Sequence, residues 1–577
     1  MLSVRGSSTE ADDRNMPKVK LKQTLNRAFK YHKAEQWQKA KVLYQRILNA
    51  YPDQPEALHL LGLLTFEIGE QEKAAELLYK AVDKIPGNAQ AQFHLGVALH
   101  ALGRLEDAIS PYQHTVALEP DNAIAFNNLG VVQEGLGLIK EAIGSYRQAI
   151  DSNPDYAGAI INLGTAYRAH GEPQEAVKLF RKALEHKSDR PEIHFNLGLT
   201  LTDLAEPLTA ADSFQKAIDL RPGYAAAHEK LGNMLREQAR FDLALNSYRT
   251  ALDHDPRLVS AHVSLAKTLN ELERHNDAIN HCQHALNIEP DSASARHNLA
   301  HCYWKLERYA DALKLFESLD TPAARARTLE CLFAMKSYDT FYDSQKQPAP
   351  GWDTNLRIAA INAFAAEQLQ HINPHPYCKQ PLDFIRVYDA LNERPDRTKF
   401  LADLVAMLER QPMLWEPFEK STVSGYQTPA VLFNRPEGPL AELQGILENH
   451  IGQYSSEAFK ESSIFLDQFP ARYTLLAWYG KLIKGGHRKP HIHPSGWLSG
   501  VFYIQCPRGG DKDEGAIDFS TWGYGYPLIN KNYSRHRHRP KNGDLVLFPS
   551  SLFHGTVPIH TDEERLIVAF DLVPRND

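Results

Sequence analysis

A register of 34 residues constrains the fold of the first half of this chain more than any other feature. On this register a proline recurs, followed ten positions later by a small residue and twelve positions after that by an alanine. Small residues let two antiparallel helices approach closely, and each proline ends the second helix before the next pair begins. The prolines are Pro52, Pro86, Pro120, Pro154, Pro222, Pro256 and Pro290, and the alanines run from Ala40 to Ala312. This pattern predicts stacked helical hairpins.

This register resembles the tetratricopeptide repeat, whose period and small-residue pattern it shares. The resemblance covers roughly residues 21 to 320, in about nine units. It implies an all-α superhelix with an extended concave surface that binds a protein or peptide.

An asparagine precedes the small residue by two positions in four of the repeats. A row of amides on the inner helices can hydrogen-bond an extended peptide backbone whatever its side chains, as in the similar asparagine ladder of O-linked N-acetylglucosamine transferase. These predicted peptide-binding residues are Asn128, Asn162, Asn196 and Asn298, while Leu60, His94, Lys230 and Ser264 interrupt the row. Two interpretations stay open, a peptide-binding groove and a common consensus residue.

Composition limits the partners and the compartment. A formal net charge of -7 over 577 residues gives no electrostatic argument for nucleic-acid binding. The apolar runs are too short to span a membrane, and the first twenty residues lack the apolar segment of a signal peptide. The five cysteines form no CxxC pair. We therefore expect a cytoplasmic protein with neither nucleic acid nor membrane as a partner.

The repeat register is lost after Asp320, and from about Pro381 the sequence consists of short segments rich in β-forming residues. We predict a disordered tail over 1–20, repeats over 21–320, capping or linker helices over 321–380, and a second domain over 381–577. Predicted helices cover 323–335, 356–369, 397–410 and 440–454, and predicted strands cover 428–433, 473–483, 499–504 and 545–548.

Three histidines in the last hundred residues indicate a metal site. His491 and His493 stand at i and i+2 in a strand-like context, so their side chains face the same way. His554 on a second strand-like run can complete one facial site, which leaves metal positions open for other ligands. The spacing predicts an iron site formed by His491, His493 and His554.

The segments around these histidines resemble the 2-oxoglutarate and Fe(II)-dependent oxygenases. The segments that show this resemblance are GGHRKPHIH at 485–493 with SGVFYI at 499–504, NGDLVLFPS at 542–550, and RLIVAFD at 565–571. The first segment is prolyl-hydroxylase-like and the last is aspartyl/asparaginyl β-hydroxylase-like. The resemblance implies a double-stranded β-helix (jelly-roll or cupin-like) barrel with flanking helices. The whole chain is then multidomain, α and β.

The same resemblance assigns individual roles. It implies Fe(II), with 2-oxoglutarate and dioxygen as cosubstrates, and His491 and His554 match the two histidines of the family. Arg565 matches the basic residue that meets the distal carboxylate of 2-oxoglutarate, where a bidentate guanidinium suits a buried carboxylate. Tyr503 matches a strand tyrosine that hydrogen-bonds this carboxylate in prolyl hydroxylases.

His493 departs from the family, which has Asp or Glu at this place. Three interpretations stay open. His493 is a third nitrogen ligand, or it lies next to a metal held by two histidines and water without binding it, or the site is degenerate and binds no iron. Asp518 is a further source of a carboxylate, although nothing in the sequence places it in the barrel. The loop 522–540, rich in aromatic and basic residues, is either a lid that favours an acidic or extended polypeptide or a solvated surface loop.

These features together predict a 2-oxoglutarate- and Fe(II)-dependent dioxygenase that hydroxylates a side chain of a protein or peptide recruited by the repeats. Two alternatives remain. One is an interaction adaptor with an inactive barrel, and the other is an oxygenase that acts on a small molecule or glycan.

Overall fold

The computed structural model describes residues 18–185, 190–204, 206–415, 421–457, 463–507 and 513–575. The chain divides into two compact units between Pro222 and Gly223. Most of the predicted tail, residues 1–17, lies outside the described residues, and the first helix begins at Lys18. In the described ranges, no helix is long and apolar enough to cross a membrane.

The described residues of the first unit form six antiparallel helical hairpins. Its helices are α1 (Lys18–Lys33), α2 (Trp37–Ala50), α3 (Pro55–Glu67), α4 (Gln71–Lys84), α5 (Ala89–Ala101), α6 (Leu105–Leu118), α7 (Ala123–Gly135), α8 (Ile139–Ser152), α9 (Ala157–Ala169), α10 (Pro173–Glu185), α11 (Pro191–Asp203) and α12 (Pro207–Leu220). The alanines of the register are fully buried where hairpin helices meet, as at Ala108 and Ala142. A Cβ atom at Gly164 would lie 2.1 Å from Cζ of Phe180. The register thus marks the places of closest helix approach.

The second unit begins with three more hairpins and then leaves the repeat pattern. Its first helices are α13 (Ala225–Glu237), α14 (Phe241–His254), α15 (Val259–Glu271), α16 (His275–Ile288), α17 (Ala293–Lys305), α18 (Tyr309–Glu317), α19 (Pro322–Ala334), α20 (Tyr338–Asp343) and α21 (Leu356–Leu369). Helices α19 and α21 agree closely with the helices predicted at 323–335 and 356–369. The described residues of the two units hold nine hairpins up to Glu317.

In the described part of the second unit, an antiparallel sheet of ten strands follows these helices. The strands are β1 (Arg386–Asp389), β2 (Leu414–Trp415), β3 (Thr422–Gln427), β4 (Tyr473–His491), β5 (Leu498–Gln505), β6 (Ile517–Ser520), β7 (Arg535–His538), β8 (Asp544–Pro549), β9 (Phe553–Thr556) and β10 (Arg565–Pro574). Their order is β1-β8-β5-β10-β4-β9-β6-β7, with β3 also paired to β4 and β2 to β3. The predicted fold class is confirmed, because a helical repeat array precedes a curled antiparallel sheet that is compatible with a jelly roll. The domain boundaries given above stay a prediction.

Strands β5, β8 and β10 are buried on both faces, and alternate residues serve two cores. Tyr503, Val546 and Ile567 belong to one core, which we call the inner face of the sheet. Their neighbours Phe502 and Leu547 pack in the other core, which also contains residues of α22 (Arg397–Leu408), α23 (Gly438–Ser456) and α24 (Ile464–Asp467). A short 3-10 helix, Pro381–Phe384, precedes β1. The helices cover one face, so a site can form on the inner face.

The strand predicted at 428–433 is wrong. Strand β3 ends at Gln427, and the chain then continues in turns past Pro429. Two backbone amides of the segment still donate to β4, from Thr428 to the Tyr479 oxygen at 3.0 Å and from Leu432 to the Ala477 oxygen at 3.1 Å. Proline has no amide proton to donate, so a continuous ladder is interrupted here.

Candidate metal centre

Three histidine side chains meet where strand β4 ends. His491 is the last residue of β4, His493 follows it, and His554 lies on β9. His491 and His554 are partners across the two strands. One ring nitrogen of each histidine lies within 4.8 Å of those of the other two, and no other such group of His, Cys, Asp and Glu was found in the part of the chain that the structure describes. The structure brings together the three residues whose spacing predicted a metal site.

Each of these imidazoles is held through its Nδ1 atom. The nearest oxygen is that of Lys489 at 2.8 Å for His491, of Leu552 at 3.2 Å for His554, and Oδ1 of Asp571 at 2.5 Å for His493. An acceptor at Nδ1 fixes the proton there and leaves the lone pair on Nε2, the form in which imidazole binds a metal. The three rings are therefore arranged as nitrogen donors.

Removal from water keeps two of the histidines neutral. Burial lowers the pKa of His491 and of His554 well below the ordinary value, and the neighbouring histidines and the Arg488 cation lower it further. A neutral imidazole has the lone pair that a metal requires. His491 and His554 therefore keep their lone pairs at neutral pH.

A bulge in β4 adds Arg488 to the site. Arg488 is paired with Thr556 and His491 with His554, so three steps along β4 match two steps along β9. Without the bulge, residues three apart on a strand would face opposite ways. Pro490 lies within the bulge, where a missing amide proton is tolerated. Arg488 was not predicted as a site residue, because its odd spacing from His491 conceals their shared face.

Two buried arginines lie beside the histidines. Arg565 is 1% exposed and donates from Nη2 to the Tyr503 hydroxyl at 3.1 Å, and Arg488 is 8% exposed and donates to Gln427 at 3.1 Å. Nε and Nη1 of Arg565 and Nε of Arg488 have no hydrogen-bond partner among the described residues. A small cavity is lined by both arginines together with His493 and His554.

Neither arginine forms an ion pair with a carboxylate of the described residues. Burial, and then the charge of Arg565, lower the pKa of Arg488 to about 10, so Arg488 still carries its charge at neutral pH. Burial raises the pKa of Tyr503 to about 12, which keeps its hydroxyl protonated. Buried like charges with unused donors are unfavourable unless an anion joins them. The unused donors of the two arginines are therefore suited to a carboxylate.

Asp571 supplies the carboxylate that the sequence left unassigned. It lies on β10, six residues after Arg565, and accepts from Ser499 at 2.7 Å as well as facing His493. Even spacing on one strand is the signal that would have placed Asp571 on the same face as Arg565. Asp518, considered above, instead pairs with Arg535 and with Arg537 on β7.

The loop 522–540 divides between two environments. Trp522, Gly523, Tyr524 and Gly525 line a cleft of about 970 Å³ that also contains His491 and His493. The basic run ends up on the edge strand β7, with mostly exposed side chains. The aromatic start of the loop faces the site, whereas its basic part does not line this cleft.

The asparagines predicted to bind peptide are half-buried in their repeats. Asn162 donates to Asn127 at 3.0 Å, Asn196 to the Glu192 oxygen at 2.9 Å, and Asn298 to the Val263 oxygen at 3.5 Å. Oδ1 of Asn128 accepts from Asn127 at 3.5 Å. Each amide thus takes part in a hydrogen bond within the repeats, and peptide binding by this row stays a prediction.

Comparison with known protein families matches both parts of the chain. Residues 476–571 match the family described as "Putative 2OG-Fe(II) oxygenase". Several tetratricopeptide repeat families match 31–89, 81–114, 98–137, 123–156, 161–225, 229–288 and 269–329. No curated protein matches the chain.

Among solved structures, the crystal structure of MamA protein is 32% identical over 29% of this chain and 90% of that one, with a TM-score of 0.28. YrrB, described as a TPR protein with an unusual peptide-binding site, is 23% identical over 32% of this chain and 96% of its own, with a TM-score of 0.27. A thermophilic TPR protein from Thermus thermophilus is 25% identical over 32% of this chain and 100% of its own, with a TM-score of 0.27.

Proposed function

We propose that this chain, a tetratricopeptide-repeat protein with a C-terminal domain of the 2OG-Fe(II) oxygenase family, is a dioxygenase that hydroxylates a side chain of a protein or peptide. The predicted combination of repeats and oxygenase domain is confirmed by the family matches. The activity rests on one observation, which is the three histidine nitrogens within 4.8 Å of one another next to two buried arginines whose donors are partly unused among the described residues.

The residues present fit Fe(II) and 2-oxoglutarate. His491, His493 and His554 would hold the metal through Nε2, since each Nδ1 already faces an oxygen. Arg565 and Tyr503 would hold the distal carboxylate of 2-oxoglutarate, because their donors are buried and partly unused. A metal site made of nitrogens on one face keeps positions for a keto acid and dioxygen.

When bound, the metal and cosubstrate supply the oxidation: dioxygen and 2-oxoglutarate give succinate and CO2, and one oxygen atom enters a C–H bond of the substrate. The protein contributes binding and orientation. Arg488 adds a second cation beside the carboxylate site, and its bond to Gln427 fixes its direction. Ser499 and Asp571 orient His493, a partner arrangement that typically raises metal affinity.

Ser421 must give up one contact when the metal binds. Its hydroxyl lies 3.1 Å from Nε2 of His491, the atom required as a ligand. A serine hydroxyl rotates freely, so the bond is replaced without moving the backbone.

Stepwise addition under anaerobic conditions tests the proposal. Full-length protein receives Fe(II), then 2-oxoglutarate, and the visible spectrum is recorded before air is admitted and succinate is measured. We expect a weak charge-transfer band from the bound keto acid, followed by succinate formation. Absence of both the band and succinate would contradict the proposal and favour an interaction protein with an inactive barrel.

A further inference from the structure

The cleft that leads to the three histidines is lined by strand and helix residues of the second unit. Strand residues such as Lys489 and His491 form one wall. Helix residues also line the cleft, with Trp304 and Lys305 on α17, Arg327 on α19 and Arg357 on α21. The volume of about 970 Å³ is at the upper end of the range of roughly 300–1,000 Å³ for small-molecule pockets. The cleft therefore has room for more than a cosubstrate.

The lining of this cleft carries a strong excess of positive charge. Among the described residues, five cationic side chains line it, namely Lys305, Arg327, Arg357, Arg488 and Lys489, against one carboxylate, that of Asp571. Asp571 is already bonded to His493 and Ser499. The chain as a whole has a net charge of -7, so the positive potential is a local feature of the cleft.

A buried glutamate positions two of these cations. Glu330 accepts from Nη1 of Arg327 at 2.6 Å and from Nε of Arg357 at 2.9 Å, and the Tyr526 hydroxyl donates to it at 3.1 Å. Burial alone would raise the pKa of Glu330, but the two arginines lower it below the ordinary value. One carboxylate thus balances only one of two guanidinium charges.

Aromatic rings complete the orientation of the arginines. Arg327 lies over the ring of Trp304 at 4.8 Å, and Arg357 over that of Tyr524 at 4.6 Å. Burial and the charges of Arg327 and Lys305 lower the pKa of His301 to about 2, so this histidine of the cleft is neutral. Stacked guanidinium groups keep their remaining N–H donors available for a ligand.

The two lysines are the free charges of the cleft. Lys305 and Lys489 are exposed, and neither forms an ion pair within the described ranges. Nζ of Lys305 lies over the ring of Trp304 at 5.5 Å. Ammonium groups without an ion-pair partner in the lining of one cleft favour an anionic ligand.

We infer that the cleft binds an acidic segment of a polypeptide, whose carboxylates contact Lys305 and Lys489 while a neighbouring residue reaches the histidines. This inference rests on the proposed function. A polypeptide is favoured because Asn298, His301 and Lys305 lie at i, i+3 and i+7 of α17, so one face of a helix joins the asparagine of a repeat to the cleft. Repeats of this kind generally bind extended peptides.

Fluorescence anisotropy of a labelled peptide tests this assignment. The probes are a fluorescein-labelled (Glu-Ala)5 peptide and its (Gln-Ala)5 and (Lys-Ala)5 counterparts, with full-length protein loaded with Fe(II) under anaerobic conditions. We expect binding of the acidic peptide alone, weakening as NaCl is raised. The double substitution Lys305→Gln with Lys489→Gln should weaken it roughly tenfold, because each exposed charge pair accounts for about fivefold at most. Lys314→Gln, at an exposed lysine outside the cleft, should leave it unchanged.

Three results would overturn the inference: equal binding of the acidic and neutral peptides, an unchanged affinity in a folded double variant, or tighter binding of a ten-residue polydeoxythymidine than of (Glu-Ala)5. The peptide assay is separate from the test of the dioxygenase. Wild-type protein that forms succinate but does not prefer the acidic peptide contradicts only the inference. Wild-type protein that binds the peptide in the cleft but never forms succinate contradicts only the activity.

Discussion

Polar contacts in the repeats and in the barrel join residues that are separated by different numbers of positions in the sequence. In the first unit these contacts recur 35 residues apart, from His59 to His94, from Asn127 to Asn162 and from Arg168 to Asp203. In the barrel, Arg488 reaches Gln427 over 61 residues, Arg565 reaches Tyr503 over 62, and His493 reaches Asp571 over 78.

This difference in sequence separation predicts whether a substitution in each region changes stability or chemistry. A repeat contacts mainly its neighbours, so damage to one hairpin is expected to stay local. The site in the barrel requires several strands in one register, because a shift of one residue turns every side chain to the other face. Loss of one site residue should therefore alter chemistry, and loss of one repeat contact should alter stability.

The largest effect is expected from His554→Ala. His554 is 5% exposed and central to the histidine group, so its removal takes away a ligand. We expect Fe(II) affinity to fall more than roughly 100-fold, since even loss of a ligand-orienting partner costs 10–100-fold. Anaerobic calorimetric titration with Fe(II) measures the change.

His487→Ala is the matched control for this titration. His487 lies on β4, as His491 does, forms a hydrogen bond with the backbone oxygen of Gly485, and is not part of the histidine group. Its substitution should leave Fe(II) affinity unchanged. A folded His554→Ala protein that binds Fe(II) as tightly as the wild type would show that the three histidines are not ligands.

Arg565→Gln separates the cosubstrate from the metal. It removes a buried cation whose Nε and Nη1 have no protein partner in the described part of the chain. Hydrogen bonds to charged groups contribute about 1.5–3 kcal/mol, so the Kd for 2-oxoglutarate should rise roughly 10–100-fold, with Fe(II) affinity little changed. Absorbance titration of the Fe(II) protein with 2-oxoglutarate measures it, and Arg535→Gln on the edge strand is the control. Equal losses in both variants would argue against Arg565 as the carboxylate partner.

Asp571→Asn tests the departure at His493. The carboxylate lies 2.5 Å from Nδ1 of His493, and loss of such a partner typically costs roughly 10–100-fold in metal affinity. If His493 is a ligand, Asp571→Asn and His493→Ala act on the same bond, so their combined effect on Fe(II) affinity should be smaller than the sum of the two. Strict additivity would instead favour two histidines and water.

Sequence predicted the parts of the site that follow simple spacing. His491 and His493 share a face by the alternation of a strand, and the structure brings both beside His554. Arg488 escaped prediction because a bulge, which no local pattern reveals, turns it onto the same face. The same alternation places Asp571, six residues from Arg565, on the face of Arg565. Its role could not be predicted, because it depends on contacts with Ser499 and His493 that only the fold creates.

The fold was predictable to the same degree. A fixed register predicts helical hairpins because each contact is local, as at Gly164 against Phe180. The cleft could not be predicted from the sequence, because its contacts join distant residues. Glu330 of α19 contacts Arg357 of α21 and also Tyr526, which lies in a loop 196 residues after Glu330. The segment 428–433 reads as a strand by composition, yet Pro429 interrupts its ladder.

The smallest effect concerns the repeats alone. An added methyl at Gly164 would clash with Phe180 at 2.1 Å, whereas one at Gly144 on α8 would meet nothing within 4 Å. Gly164→Ala should destabilise its hairpins by about 1–3 kcal/mol through overpacking, and Gly144→Ala should stabilise them by up to about 1 kcal/mol through helix propensity. The midpoint of urea unfolding, followed by far-ultraviolet circular dichroism, measures both.

These two variants also test the contrast between the regions. Because hairpins depend on their neighbours, neither change should alter Fe(II) affinity at the histidines, which lie in the other compact unit. If Gly164→Ala weakened Fe(II) binding as much as Asp571→Asn does, the repeats and the barrel would be energetically coupled. If instead both glycine variants shifted the midpoint in the same direction, close helix approach would not be what requires glycine on this register.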